Sequence, residues 1–230
     1  MTPAYAPIRR PGFPTVLPGL AMLCVALSGW AMPGLARAEL RHYRLDPVHT
    51  RVAFQVSHAG FSNPVGSFAK VTGTLDFDPD DWSTARVSVE VPIATLDLGD
   101  ADWQGKILDR TFFDAGKFPV ARFVSTRVER GAGNHARVTG DLTLHGVTAP
   151  LVLDVDLNAL KRHPLTLHRT AGFSAKGTLS RKAFGMDHWE RVVGDAVTLV
   201  IEAEALLTGR DAETAAGSVD KDPQDSGSQH

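Results

Sequence analysis

The sequence predicts an all-β chain: a single antiparallel domain of about eight strands with one short helix, closed either as an up-and-down barrel or as a sandwich. Three observations predict it. Val138–Leu157 reads as a hairpin with two alternating arms. Similar runs, about ten residues or roughly 30 Å long, recur on both sides of it. Only Gly99–Arg110 carries helical spacing, so the helices that parallel strands need between them are missing.

Taken in order, the chain opens on Arg9 and Arg10, a mostly apolar stretch over 16–32, and Ala36-Arg37-Ala38 before Glu39. A charged start, an apolar middle and a small-residue cleavage site make residues 1–38 a secretory signal peptide. Gly19, Gly29 and several prolines dilute the apolar run, which argues against a membrane anchor. Arg9-Arg10 leaves both the general secretory and the twin-arginine export routes open. Cys24, the one cysteine of the 230-residue chain, lies inside the signal, so the exported protein relies on packing and hydrogen bonds rather than disulfides. Cleavage removes three of the 24 basic side chains and no acid, leaving 21 against 26 acidic, a net charge of −5. No basic stripe remains to hold a polyphosphate backbone, which excludes nucleic acid as a natural partner.

Residues 39–207 form the folded domain. Val52, Phe54, Val56 and His58 alternate with Arg51, Ala53, Gln55 and Ser57 in a strand expected over His49–His58. A loop with Asn63-Pro64 leads to Phe68–Phe77, read as one run. Asp78-Pro79-Asp80-Asp81 turns the chain into Ala85–Pro92, where Val87, Val89 and Val91 share a face. Trp103, Ile107 and Leu108 supply the helical spacing. Ala121–Arg130 returns to strand, but Phe123 and Val128 differ in parity, which predicts a bulge near Ser125-Thr126. In the central hairpin Val138, Gly140, Leu142 and Leu144 form one apolar face, and Leu151, Leu153, Val155 and Leu157 the other arm's. Gly146–Pro150 is expected to make the reversal. Arg169–Ser180 and Asp195–Leu207 complete the set. Residues 208–230, polar and without aromatics, cannot offset their ordering entropy and are expected to be a disordered tail.

Enzyme signatures fail on context. Ser67-Phe-Ala-Lys70 matches a penicillin-binding motif but enters a strand without its companion motifs. Gly131-Ala-Gly133-Asn-His-Ala136 opens no helix, as a dinucleotide site must. Asp76, Asp78 and Asp80 imitate a calcium loop, but Asp81 replaces its glycine and Val87 its bidentate glutamate. No histidine pair, carboxylate pair or nucleophile–base set stands out from spacing, so neither metal, cofactor nor catalysis is expected. His163 and His168 read as loop residues; His49, His58 and His145 sit at strand ends, where barrel mouths lie.

A set of motifs then becomes specific. Asp46-Pro-Val-His49-Thr-Arg-Val-Ala-Phe54-Gln-Val-Ser-His58, Val65-Gly66-Ser-Phe68, Thr111-Phe112-Phe113-Asp114 with Phe118-Pro119, and Ala121-Arg-Phe123-Val-Ser125-Thr126 occur in order. Gly140-Asp-Leu-Thr-Leu-His-Gly146-Val-Thr148, Arg181-Lys-Ala-Phe184-Gly185-Met186 and Val193-Gly194-Asp195-Ala-Val197 with Ile201-Glu202-Ala203 follow. Together they resemble the YceI-like family over nearly all of Tyr43–Leu206; Asp102–Lys106 departs from its pattern. The resemblance implies a lipocalin-like barrel in the bacterial periplasm, carrying a polyisoprenoid, an isoprenoid quinone or a similar long-chain amphiphile. A dry tube suits that cargo, since each buried methylene is worth about 0.8 kcal/mol.

The expected lumen is lined by Phe54, Val56, Val87, Val89, Phe123, Leu142, Leu144, Leu153, Phe173 and Leu199, with Phe173 facing Leu142 and Leu144. Asp46, His49, His58 and Arg181 are candidates to meet a head group. Rival readings are an enzyme of the same fold that modifies such a lipid, and a β-sandwich interaction module without ligand. Contact with a membrane or a membrane-bound donor or acceptor, and a homodimer, are both compatible with the sequence. Protein recovered from a periplasmic fraction should begin at Glu39 by N-terminal sequencing; an intact Met1–Ala38 segment would contradict export.

Overall fold

The computed structural model describes residues 40–209. The expected signal peptide and nearly all of the expected tail lie outside them. Ten strands form one antiparallel sheet: β1 (Arg41–Leu45), β2 (Arg51–His58), β3 (Val65–Phe68), β4 (Thr72–Phe77), β5 (Arg86–Pro92), β6 (Val120–Arg130), β7 (His135–Leu144), β8 (Val147–Arg162), β9 (Arg169–Ser180) and β10 (Val193–Leu207). One helix, α1 (Ala101–Leu108), lies between β5 and β6. The sheet closes on itself. β10 pairs with β9 on one edge; along its other edge it pairs with β2 from Val197 to Glu202 and with β1 from Ala205 to Leu207. β1 and β2 are thus one interrupted stave, as are their partners β4 and β3. Eight staves in up-and-down order make a closed barrel, not a sandwich.

Two interruptions depart from the sequence reading. The first strand was expected to start at His49, and β1 was not foreseen. The Asp46 amide still donates to the Glu204 carbonyl of β10 at 2.8 Å, and from there to Arg51 the chain turns outward, so Pro47–His49 is a turn rather than ladder. The run expected over Phe68–Phe77 breaks at Ala69–Val71, where Lys70 takes a φ of 53°. The Thr95 hydroxyl accepts the Ala69 amide at 3.1 Å and lies 2.8 Å from the Ala69 carbonyl, replacing both ladder bonds.

The central hairpin alternates as expected, with Val138, Gly140, Leu142, Leu144, Leu151, Leu153 and Leu157 buried. Its reversal is shorter than expected. Leu144 pairs directly with Val147, and the turn is His145-Gly146 alone, with φ of 52° and 78°. That is the type I′ geometry that matches strand twist. Pro150 lies inside β8, in the portion that precedes the pairing with β9 at Leu153, so β8 has one neighbour there. The bulge expected near Ser125-Thr126 is present between Ser125 and Arg127. Ser125, buried there, accepts the Val87 amide on its hydroxyl at 2.9 Å.

Inward-facing side chains form two buried clusters. One holds Phe68, Ile93, Phe123, Leu142, Leu144, Phe184 and Met186. The other holds Tyr43, Leu45, Phe77, Trp82, Leu157, Ala171 and Ala205. Leu142 and Leu144 belong to the first and Phe173 packs against the second, so Phe173 does not face them as expected; it pairs with Leu157 instead. Small residues let the staves curl. A Cβ at Gly140 would meet the Phe123 ring and lie 2.5 Å from the Val124 carbonyl oxygen. Gly140→Ala should therefore lower stability in urea by about 1–3 kcal/mol or more. Gly105→Ala on α1, where nothing lies within 4 Å, should be neutral or stabilising; equal losses at both would contradict this account.

Candidate functional site

The barrel axis is not filled. A cavity of about 330 Å³ runs from Leu45, Phe77 and Trp82 at one end to Trp103, Ile107 and Phe113 at the other. Its wall includes Phe54 and Val56 on β2, Val87 and Val89 on β5, Phe123 on β6, Leu142 and Leu144 on β7, Leu153 on β8, Phe173 on β9 and Leu199 on β10. Besides the indoles of Trp82 and Trp103, Thr50, Arg86 and Arg181 are the wall residues with polar side chains, and the surface they turn to the cavity is apolar. Apolar cavities of this kind stay dry.

The two ends differ. At the floor Trp82 is buried, its indole N–H donating to the Pro79 carbonyl at 2.9 Å. Its ring meets Phe77 edge-on at 5.4 Å, Phe77 meets Phe173 at 6.1 Å, and the Arg130 guanidinium lies 4.7 Å over the indole as a lid. The Asp81 carboxylate fixes the turn by accepting the Ser83 amide at 3.1 Å. This end is sealed.

At the opposite end α1 crosses the opening. Asp100 caps it by accepting the Trp103 amide at 2.7 Å, yet no residue of the helix is fully buried. Phe113 packs edge-on against Phe68 at 5.7 Å, and Phe68 stacks on Phe54 at 5.6 Å, which carries the aromatic lining down from the helix. Half-buried Trp103, Ile107, Phe112, Phe113, Leu98 and Val193 make this the mouth. Sequence reasoning missed Trp82 and most of these mouth residues, because they lie outside the alternating strands. On the rim, Phe61 is 92% and Trp189 63% exposed, and the Ala59 amide donates to the Val192 carbonyl at 2.6 Å to join their loops.

Of the four head-group candidates only Asp46 and His49 come together, with His49 Nδ1 2.8 Å from Asp46 Oδ2; His58 and Arg181 lie elsewhere. Arg181 alone reaches the cavity wall; it is 4% exposed. Backbone carbonyls rather than a carboxylate take its fork. Nε and Nη2 donate to the Gly194 and Val193 carbonyls at 2.8 Å each, and Nη1 donates to the Met186 carbonyl. These bonds clasp the 181–195 segment beside the mouth. Asp195 completes the clasp: the Lys182 amide at 3.0 Å, then the Ser180 hydroxyl at 2.8 Å, hold its carboxyl below the ordinary carboxylate range. Asp46 and His49 lie in the turn between β1 and β2, off the cavity wall, because the chain has left the ladder there. His58, the exposed last residue of β2, is also off the wall.

His145, His163 and His168 serve turns. His145 Nδ1 lies 3.0 Å from the Phe184 carbonyl oxygen, to which it donates, and its ring meets Phe118 at 4.8 Å. This contact supports the positive φ of the hairpin turn. His163 and His168 flank the β8–β9 turn, joined by their backbones at 2.8 Å.

Comparison with known proteins places this architecture. A UPF0312 protein of Pseudomonas savastanoi pv. phaseolicola is 36% identical over 160 residues, covering 69% of this chain and 83% of that protein. The fold matches Burkholderia cenocepacia BcnA with a TM-score of 0.63 at 24% identity, over 70% of this chain and 98% of that one. It also matches a domain described as a polyisoprenoid binding domain from Saccharophagus degradans implicated in plant cell wall breakdown, with a TM-score of 0.54 at 14% identity, over 74% of this chain and 100% of that one. The model of the YceI-like domain matches residues 43–205, nearly all of the Arg41–Leu207 span that forms the barrel, and the chain belongs to the YceI-like family.

Proposed function

We propose that this chain is an exported, periplasmic carrier or sequestering protein that holds the tail of a polyisoprenoid, an isoprenoid quinone or a similar long amphiphile in its lumen, without catalysis. One observation carries this reading: the cavity is small for its length. About 330 Å³ is near the low end of the roughly 300–1,000 Å³ of small-molecule sites, yet it extends from Trp82 at the floor to Trp103 at the mouth. A narrow apolar tube sealed at one end suits an unbranched or prenyl chain rather than a broad ring system. The polyisoprenoid-binding domain of the same fold supports the same class of ligand. The wall presents no carboxylate, histidine or thiol, which supports binding over acid–base or nucleophilic chemistry.

A head group would sit at the mouth, since the floor is closed. There the buried Arg181 is the one cation on the upper wall, with three of its five N–H donors on backbone carbonyls. Loading needs the mouth to meet the lipid source. Phe61 and Trp189 give the rim the amphipathic character that suits transient contact with a membrane or a membrane-bound donor.

Two measurements test this reading. Native mass spectrometry of protein from its own host should show a lipid adduct, and Leu142→Trp should abolish it. Delipidated Leu142→Trp should keep most of its thermal stability, because the indole enters open space. A drop matching about 1–3 kcal/mol of overpacking, with no lipid in the parent, would show a solid core instead. The clasp gives a second expectation. With its folded pKa depressed, the Asp195 carboxylate contributes stability that is complete above its ordinary value of about 3.8 and is lost as pH falls through the folded value. Asp195→Asn should flatten the acid limb of the stability curve and hasten ligand release; an unchanged limb would remove Asp195 from this role.

A further inference from the structure

The turn between β1 and β2 gathers three potential metal ligands on the outer wall. The Asp46 Oδ2 lies 2.8 Å from His49 Nδ1, and Glu204 Oε2 on β10 lies 4.0 Å from that same nitrogen. The three donor atoms all lie within 4.8 Å of one another. A tetrahedral ion with bonds of about 2.0–2.2 Å needs its ligands little more than 3 Å apart, so small side-chain rotations complete the set.

The frame behind these atoms is fixed. Asp46 donates its amide to the Glu204 carbonyl at 2.8 Å, and its Oδ1 accepts the Val48 amide at 2.8 Å, which leaves Oδ2 aimed at His49. The Thr50 hydroxyl, buried beneath the turn, bridges the Glu204 amide and carbonyl at 3.4 Å each. The neighbouring Arg51 guanidinium is turned onto the Pro47 and Thr50 carbonyls instead of the carboxylates. A cleft of about 270 Å³ opens beside the cluster, with His49, Glu204, Glu202 and His163 on its walls, leaving room for water in a further coordination position.

A second cluster of the same residue types shows that composition alone does not make such a site. His135 has Asp156 at 3.0 Å on Nδ1 but Asp154 at 3.9 Å on Nε2. Carboxylates on opposite ring nitrogens cannot share one ion with the imidazole. At His49 both face one nitrogen.

We propose that Asp46, His49 and Glu204 form a surface site for a first-row divalent metal ion, three protein ligands with water completing the shell. One imidazole with two carboxylates fits this class better than the all-oxygen cages of calcium. The site lies outside the lumen and stands or falls independently of the lipid reading.

Calorimetric titration of the untagged full chain with Zn²⁺, in a buffer without phosphate or chelator, tests it. One equivalent should bind, and affinity should fall by at least about tenfold in His49→Ala and in Glu204→Gln but not in His135→Ala. Glu204→Gln preserves shape, so it decides the matter if His49→Ala fails to fold. Absence of a one-equivalent transition, or retention of it in Glu204→Gln, would overturn the proposal.

Discussion

The domain depends on β10 hydrogen-bonding along both edges. One edge carries β9 and the other carries β2 and then β1, so among the described residues the sheet ends where it began. Closure satisfies backbone groups that an open sheet leaves exposed. It also fixes an interior volume. Eight staves enclose more axis than their inward side chains fill, and the remainder is the cavity. The lumen therefore needs both the eight-stave closure and inward side chains that stop short of the axis.

What the strands leave open, the connections finish. The β4–β5 connection supplies Trp82, with Arg130 stacked over it, and closes one end. The β5–β6 connection supplies α1 and Phe113, and the β9–β10 connection supplies the Arg181–Asp195 clasp, both at the other end. A helix with no fully buried residue is held by few contacts, and such elements are drawn from the low-stability end of a structure. Asymmetry between a packed floor and a loosely covered mouth gives the tube a direction.

Much of this was legible in the sequence, and the parts that were not share a cause. Alternation in β7 and β8 identified buried faces because each residue reports its own parity, and the clash of parity between Phe123 and Val128 located the bulge. Breaks that depend on a distant partner were invisible. Nothing local to Ala69 announces that Thr95 will take its backbone groups, and nothing in Arg41–Leu45, where only Tyr43 and Leu45 mark a face, announces a stave. The same limit applied to function. Parity placed apolar side chains on the cavity wall, whereas Asp46, His49, His58 and Arg181 were grouped by position at strand ends and lie in three separate places, Asp46 and His49 sharing one. Glu204, which meets Asp46 and His49, comes from the last strand, and only the pairing of β10 with β1 brings it there.

On the proposed function, the narrow apolar tube holds a linear chain with its polar end at α1. A high-resolution crystal structure of protein purified from its own host, without detergent, tests this most directly. A carrier should show continuous, slender density running from Trp82 to Trp103 and ending in a polar group at the mouth beside Arg181. Ordered water along the lumen, or side chains collapsed across it with no ligand density, would rule out a lipid in the tube.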